Sequence, residues 1–197
     1  MKITVRVLMI LMIGFMSFTT HAQIFGIKGG VGLANITSPD SDDNDLFGST
    51  LGVKFGGTIE FDLTDDLYLG SGLGFAKKGA SSAAGNFNLF YVDLPVGMRY
   101  EFFQVGGSGY FFANAGMNFG VLVSANLDGD QLEIGNTTGN NFKSLDLGLN
   151  TGVGIIFNDS FEVGIGVEFG LFDISTTNIS NLKNLMLLAT FGYKFGQ

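Results

Sequence analysis

Histidine occurs once in this chain, at His21, and cysteine does not occur. His21 stands directly before Ala22, where a secretory leader is expected to be cut, so residues 23–197 carry neither. Ser–His and Cys–His nucleophilic catalysis, histidine-ligated zinc or iron, and thiolate chemistry are closed to such a chain. Carboxylate chemistry is what remains. The acids at candidate positions are Glu60, Asp62, Asp93, Glu101, Asp146, Glu162 and Glu168, with Lys28, Lys54, Arg99 and Lys194 as partners. Glu162 and Glu168 are six residues apart in one extended segment, about 20 Å at roughly 3.3 Å per residue, which exceeds the separation of any glycosidase pair. Asp146 with a Glu of the following segment could come closer. The expectation is therefore no catalytic residue, no cofactor and no metal. Lys28, Lys54, Glu60, Asp93, Arg99, Asp146 and Glu168 are read instead as a network of paired charges in an interior, since buried charges need partners.

Other strings that invite a site are weak. Asp40-Ser41-Asp42-Asp43-Asn44-Asp45 resembles the start of a calcium loop. An EF-hand loop needs Gly at its sixth position and Glu at its twelfth, and these hold Asp45 and Leu51. A solvated loop is the expectation there. The Gly-x-Gly strings lead into no helix start and so offer no phosphate cradle.

The elements that must position the charges begin after a leader. Lys2 and Arg6 precede an apolar run from Val7 to Phe18, and Thr20-His21-Ala22 ends it with small residues. That is the layout of a signal peptide, and the run is too short for a spanning helix of roughly 20 residues. Domain boundaries follow as 1–22 for the leader and 23–197 for a single domain. With Gln23 after the cut, lipoprotein anchoring has no acceptor cysteine. Loss of Lys2 and Arg6 takes the formal net charge from -8 to -10. No basic patch for nucleic acid is left.

Behind the leader, eight segments alternate with period two: 24–36, 50–63, 67–78, 89–102, 110–123, 142–157, 161–171 and 185–195. In the second, Leu51, Val53, Phe55, Ile59, Phe61 and Leu63 share one face, while Gly52, Lys54, Gly56, Thr58, Glu60 and Asp62 share the other. The apolar faces are large and aromatic. The opposite faces are Gly with isolated charges of both signs, and not the long charged side chains that coat a soluble sheet. Gly at 31 and Phe at 21 of 197 residues, with no Trp, suit a narrow interior and a lipid-facing wall.

Connections 37–49, 79–88, 126–141 and 173–184 read as long, and 64–66, 104–109 and 158–160 as short. Long and short alternate without a break. The fold class implied is all-β: an eight-stranded, up-and-down, antiparallel transmembrane barrel in the outer membrane. Its short turns would face the periplasm and its long loops the exterior. Phe25, Phe61, Tyr100, Phe102, Phe103, Phe111, Phe157, Phe161, Tyr193 and Phe195 cluster near the short-turn ends, as an interfacial girdle would.

On these segments the chain resembles the PorT-like outer-membrane β-barrel family of Bacteroidetes type. The resemblance rests on Gly26-Ile27-Lys28-Gly29-Gly30-Val31-Gly32-Leu33-Ala34-Asn35-Ile36 and on Leu67-Tyr68-Leu69 leading to Lys77-Lys78-Gly79. It continues in Tyr91-Val92-Asp93-Leu94-Pro95-Val96 and Gly192-Tyr193-Lys194-Phe195. Ending on Gly196-Gln197 after the terminal Phe departs from the usual aromatic finish. The resemblance implies a barrel in outer-membrane lipid, and for some relatives a link to protein secretion. The expected role is non-enzymatic, structural or mediated by the external loops through a protein partner. The alternatives are a narrow channel or hydrophobic-solute conduit, and a soluble lipocalin-like ligand-binding barrel.

Overall fold

The computed structural model describes residues 23–38, 46–137, 139–176 and 181–195. The leader, the run from Asp40 to Asp45 and the final Gly196-Gln197 lie outside these residues. The strands are β1 (Gln23–Thr37), β2 (Phe47–Gly48), β3 (Thr50–Asp62), β4 (Leu67–Ser82), β5 (Gly85–Val105), β6 (Gly109–Leu127), β7 (Asp130–Gln131), β8 (Leu145–Phe157), β9 (Phe161–Gly170) and β10 (Lys183–Phe195). β2 and β7 are two-residue additions to β4 and β6. Each of the other eight pairs antiparallel with its chain neighbour, and β1 pairs with β10 from Phe25↔Phe195 to Thr37↔Lys183. β4 also pairs with β5, so the sheet closes and no edge of the wall is left. A closed sheet is the only strand arrangement that satisfies its own backbone in lipid.

Period-two alternation becomes inside and outside. Phe55, Leu73, Phe75, Ile165 and Phe191 point outward and are more than half exposed, whereas Lys78, Asp93, Asp146 and Glu168 are buried within. This is the reverse of a soluble ligand-binding barrel, so the lipocalin-like expectation is overturned. Polar side chains on the outer face are tied to the wall itself. The Ser71 hydroxyl donates to the carbonyl of Pro95 at 3.1 Å, and that of Thr151 to the carbonyl of Asn114 at 3.1 Å.

Two expected boundaries differ. Residues 79–88 are no long loop: β4 runs on to Ser82 and β5 starts at Gly85, leaving only Ala83-Ala84 between them. Small and amide residues gave this stretch the look of a loop, but Ala80 and Leu89 are fully buried beneath other loops, which holds the hairpin extended. Gly85 bends the chain back at φ 130, a conformation L side chains rarely adopt. Phe142, assigned by its periodicity to the sixth segment, lies ahead of β8 and makes isolated bridges to Ile134 and Ser175.

At the short-turn end, Asn158 and Asp159 both adopt positive φ, 48 and 54, between the paired Phe157 and Phe161. Asn and Asp tolerate that region better than other non-glycine residues. A bulge between Glu101 and Phe103 leaves Phe102 and Phe103 both exposed, and each packs near Phe111, with ring centroids 6.4 and 6.2 Å away. The girdle at this end is thus real contact between rings on the outer wall.

Candidate functional site

An eight-stranded barrel has room inside for little more than its own side chains. What fills this one is arranged in tiers. At the long-loop end, Ile36, Ala80, Leu89, Tyr91, Leu122, Phe142 and Ile174 form a buried apolar plug, with Phe47, Phe87, Leu132, Ile134 and Leu182 packed on it. The plug exists because the extended β4–β5 hairpin and the loops after β6 and β9 converge on it. Phe87 stands edge-on to Phe47 and to Phe142, with centroids 6.2 and 5.9 Å apart. Asp173 organises the last loop: its carboxylate accepts from the backbone N–H of Ser175 and Leu182 and pairs with Lys143 at 2.7 Å.

Beneath the plug lies a first layer of charge. Lys54 reaches Asp93 at 2.9 Å and Glu168 at 2.7 Å. Lys78 pairs with Asp146 at 3.1 Å and also contacts Glu168 directly. Neutral amides complete the layer. Asn118 accepts from Lys54 at 2.9 Å and donates to Glu168 at 3.2 Å, and Asn184 donates to Tyr91 at 3.1 Å and to Asp146 at 2.9 Å.

A second layer lies toward the short turns. Arg99 pairs with Glu60 at 2.9 Å and Glu101 at 3.1 Å, Lys28 with Glu162 at 2.5 Å, and Lys194 with Glu60 at 2.7 Å. Tyr68 lies under the Arg99 guanidinium, 4.4 Å from ring centroid to cation, and Phe112 flanks both Lys28 and Arg99 at 5.8 Å.

The seven residues read as an interior network therefore fall into two groups. Lys54, Asp93, Asp146 and Glu168 meet in the layer near the loops, and Lys28, Glu60 and Arg99 in the layer near the turns. The two groups are not joined to each other by an ion pair among the described residues. Lys78 was missed, although it is 1% exposed and central to its layer. The signal was present: Lys78 continues the inner face two residues beyond Ala76, but at the end of a segment expected to stop there. Asp146 and Glu168, the cross-strand carboxylates that could approach, do converge, with the Lys78 ammonium between them. Among the described residues no group of three or more His, Asp or Glu side chains is placed to hold a metal. Asp128 is spent as a hairpin clasp, accepting from the backbone of Asn86 at 2.9 Å.

Between the layers is a chamber of about 210 Å³, lined by glycines such as Gly30, Gly56, Gly70 and Gly166, and by Thr58, Pro95, Asn114, Asn150 and Thr190. Its existence follows from the wall. At Gly56 a Cβ would stand 2.5 Å from the Leu73 carbonyl and 2.7 Å from the Gly74 Cα. Adjacent strands approach too closely there for a side chain, and rows of such glycines leave the lumen unfilled at mid-height.

With closure, polar lumen and apolar wall in place, the family follows. A match to the family described as outer membrane protein beta-barrel domain spans residues 21–176. The chain belongs to this outer-membrane β-barrel family. Solved barrels share the fold. Neisserial surface protein A is 15% identical, with 87% of this chain and 97% of that chain aligned at a TM-score of 0.53. The outer membrane enzyme PagL is also 15% identical, covering 85% and 97% at a TM-score of 0.56. OprG from Pseudomonas aeruginosa is similar at 15% identity, covering 90% and 98% with a TM-score of 0.49. A comparison with curated proteins finds no match. This outer-membrane barrel thus shares its architecture with PagL, named an enzyme, and with Neisserial surface protein A, not so named, so architecture alone does not assign an activity.

Proposed function

We propose that this outer-membrane barrel is non-enzymatic and acts through the structured surface at its long-loop end, by binding another protein of the cell envelope. The observation that carries this reading is the apolar plug around Leu89, Tyr91, Phe142 and Ile174, which seals the lumen at that end and ties three connections into one cap. A sealed lumen favours contact at the surface over passage through the wall, and so ranks the channel alternative second. The absence of His and Cys from residues 23–197 supports the non-enzymatic reading. The Asp146–Glu168 pair supports it too, because both acids are buried and engaged by Lys78. Export through a leader over residues 1–22 belongs to the same proposal. So does a secretion-linked partner, as the resemblance to PorT-like barrels implies.

Photo-cross-linking from single cysteines at Ala84 and Asp130 on intact cells tests the proposal. The expected result is one recurrent protein adduct from these loop-end sites and none from Asp65 or Asp159 on the turns. Unitary conductance steps of the purified protein in planar bilayers, without any loop-end adduct, would favour the channel instead.

A further inference from the structure

The chamber between the two charged layers is not a sealed void. On β1, β5, β6, β8, β9 and β10 the inner face is buried, then half-buried, then buried again along each strand. The half-buried stretches are the chamber wall. On β3 and β4 the pattern differs: Thr58, Glu60 and Asp62, with Tyr68, Gly70 and Gly72 beside them, stay half-buried all the way to the short-turn end. Toward the loops the same two strands present buried Gly52, Gly74 and Ala76. The chamber is therefore a blind pocket, closed beneath the plug and reached from the turns along the β3–β4 wall.

We propose that this pocket binds a small neutral solute bearing hydroxyl or amide groups, drawn from the compartment the turns face. Two observations carry the assignment. The volume of about 210 Å³ corresponds to roughly seven waters at about 30 Å³ each, enough for a molecule of comparable bulk. Thr58, Asn114, Asn150 and Thr190 line it from four different strands, and their side chains make no hydrogen bond to the described residues. Hydroxyls and amides both donate and accept, so the four present a ring of neutral, two-way hydrogen-bonding positions. An ionic solute would have to displace a carboxylate or ammonium already paired, at the cost that attends breaking buried pairs. Neutral solutes are therefore preferred.

The test uses the full-length barrel in phospholipid nanodiscs, which has no native cysteine in residues 23–197. Thr58→Cys and Thr190→Cys place a thiol in the pocket, and Met186→Cys places one in the buried region above it. A small methanethiosulfonate reagent should modify the two pocket thiols at least tenfold faster than Met186→Cys. Glycerol and acetamide should slow that modification saturably, while sodium acetate at equal concentration should not. In the wild-type protein, amide resonances of Gly70 and Gly72 should shift saturably with glycerol. Pocket thiols as unreactive as Met186→Cys would overturn the access route and the site with it. Reactivity without protection, or shifts that rise linearly with glycerol, would leave a solvent-filled pocket and overturn the binding assignment. Preferential protection by acetate would overturn the neutral class. If either threonine variant does not fold, the other and the wild-type titration still decide.

Discussion

Lys78 and Glu168, separated by 90 residues in the chain, make direct contact inside the barrel, and the same ammonium reaches Asp146 at 3.1 Å. One cation thus holds carboxylates from β8 and β9 against β4. Lys78→Met should remove the partner of both acids and cost about 3–5 kcal/mol, the penalty of leaving buried charge uncompensated. Lys77→Met, on the outer face between Val53 and Phe90, should cost far less. Reversible urea unfolding in lipid bilayers reads both, and equal losses for the two variants would contradict the buried pairing.

The wall prediction concerns lipid. Ile165 is 62% exposed on the outer face of β9, and Leu149 and Val96 share that face on β8 and β5. Arg at any of the three should destabilise by about 2–4 kcal/mol if it lies near the bilayer midplane, and by less toward an interface. Folding of Ile165→Arg into vesicles with unchanged stability would refute a lipid-facing assignment.

Glycines on the inner face should divide into two kinds. A Cβ at Gly116 meets backbone at 2.5 and 2.6 Å, whereas at Gly70 its nearest neighbours are the Glu60 Cγ at 3.7 Å and the Gly97 carbonyl at 3.8 Å. Gly116→Ala is expected to lose about 1–3 kcal/mol through overpacking. Gly70→Ala should be neutral or stabilising by about 0.4–1 kcal/mol, because it restricts the unfolded chain without strain. The same unfolding measurement compares them, and a larger loss at Gly70 would mean the wall is not built as described.

Orientation is accessible because no native thiol interferes. Single cysteines at Ala84, the exposed tip between β4 and β5, and at Asp130 should label on intact cells with a membrane-impermeant reagent. Cysteines at Asp65 and Asp159 should label only after the outer membrane is opened. The opposite pattern would invert the barrel.

The sequence by itself determined which way most side chains face. Strict alternation such as Leu51, Val53, Phe55 against Gly52, Lys54, Gly56 has one solution when one face meets lipid, because a one-residue slip would expose every charge. Strand number was legible for an equally local reason. Pairing was not. Which charges meet depends on register across strands distant in the chain: Gly120 stands opposite Asp93 on one side and Asp146 on the other, which seats those two acids in one layer. No local pattern records that relation. The extension of β4 and β5 was hidden for the same reason, since Ala80 and Leu89 become strand only because Phe142, Ile174 and their neighbours cover them. The chamber is also a tertiary product. Each glycine looks permissive alone, and only the close approach of neighbouring strands turns rows of them into an empty tier between two layers of charge.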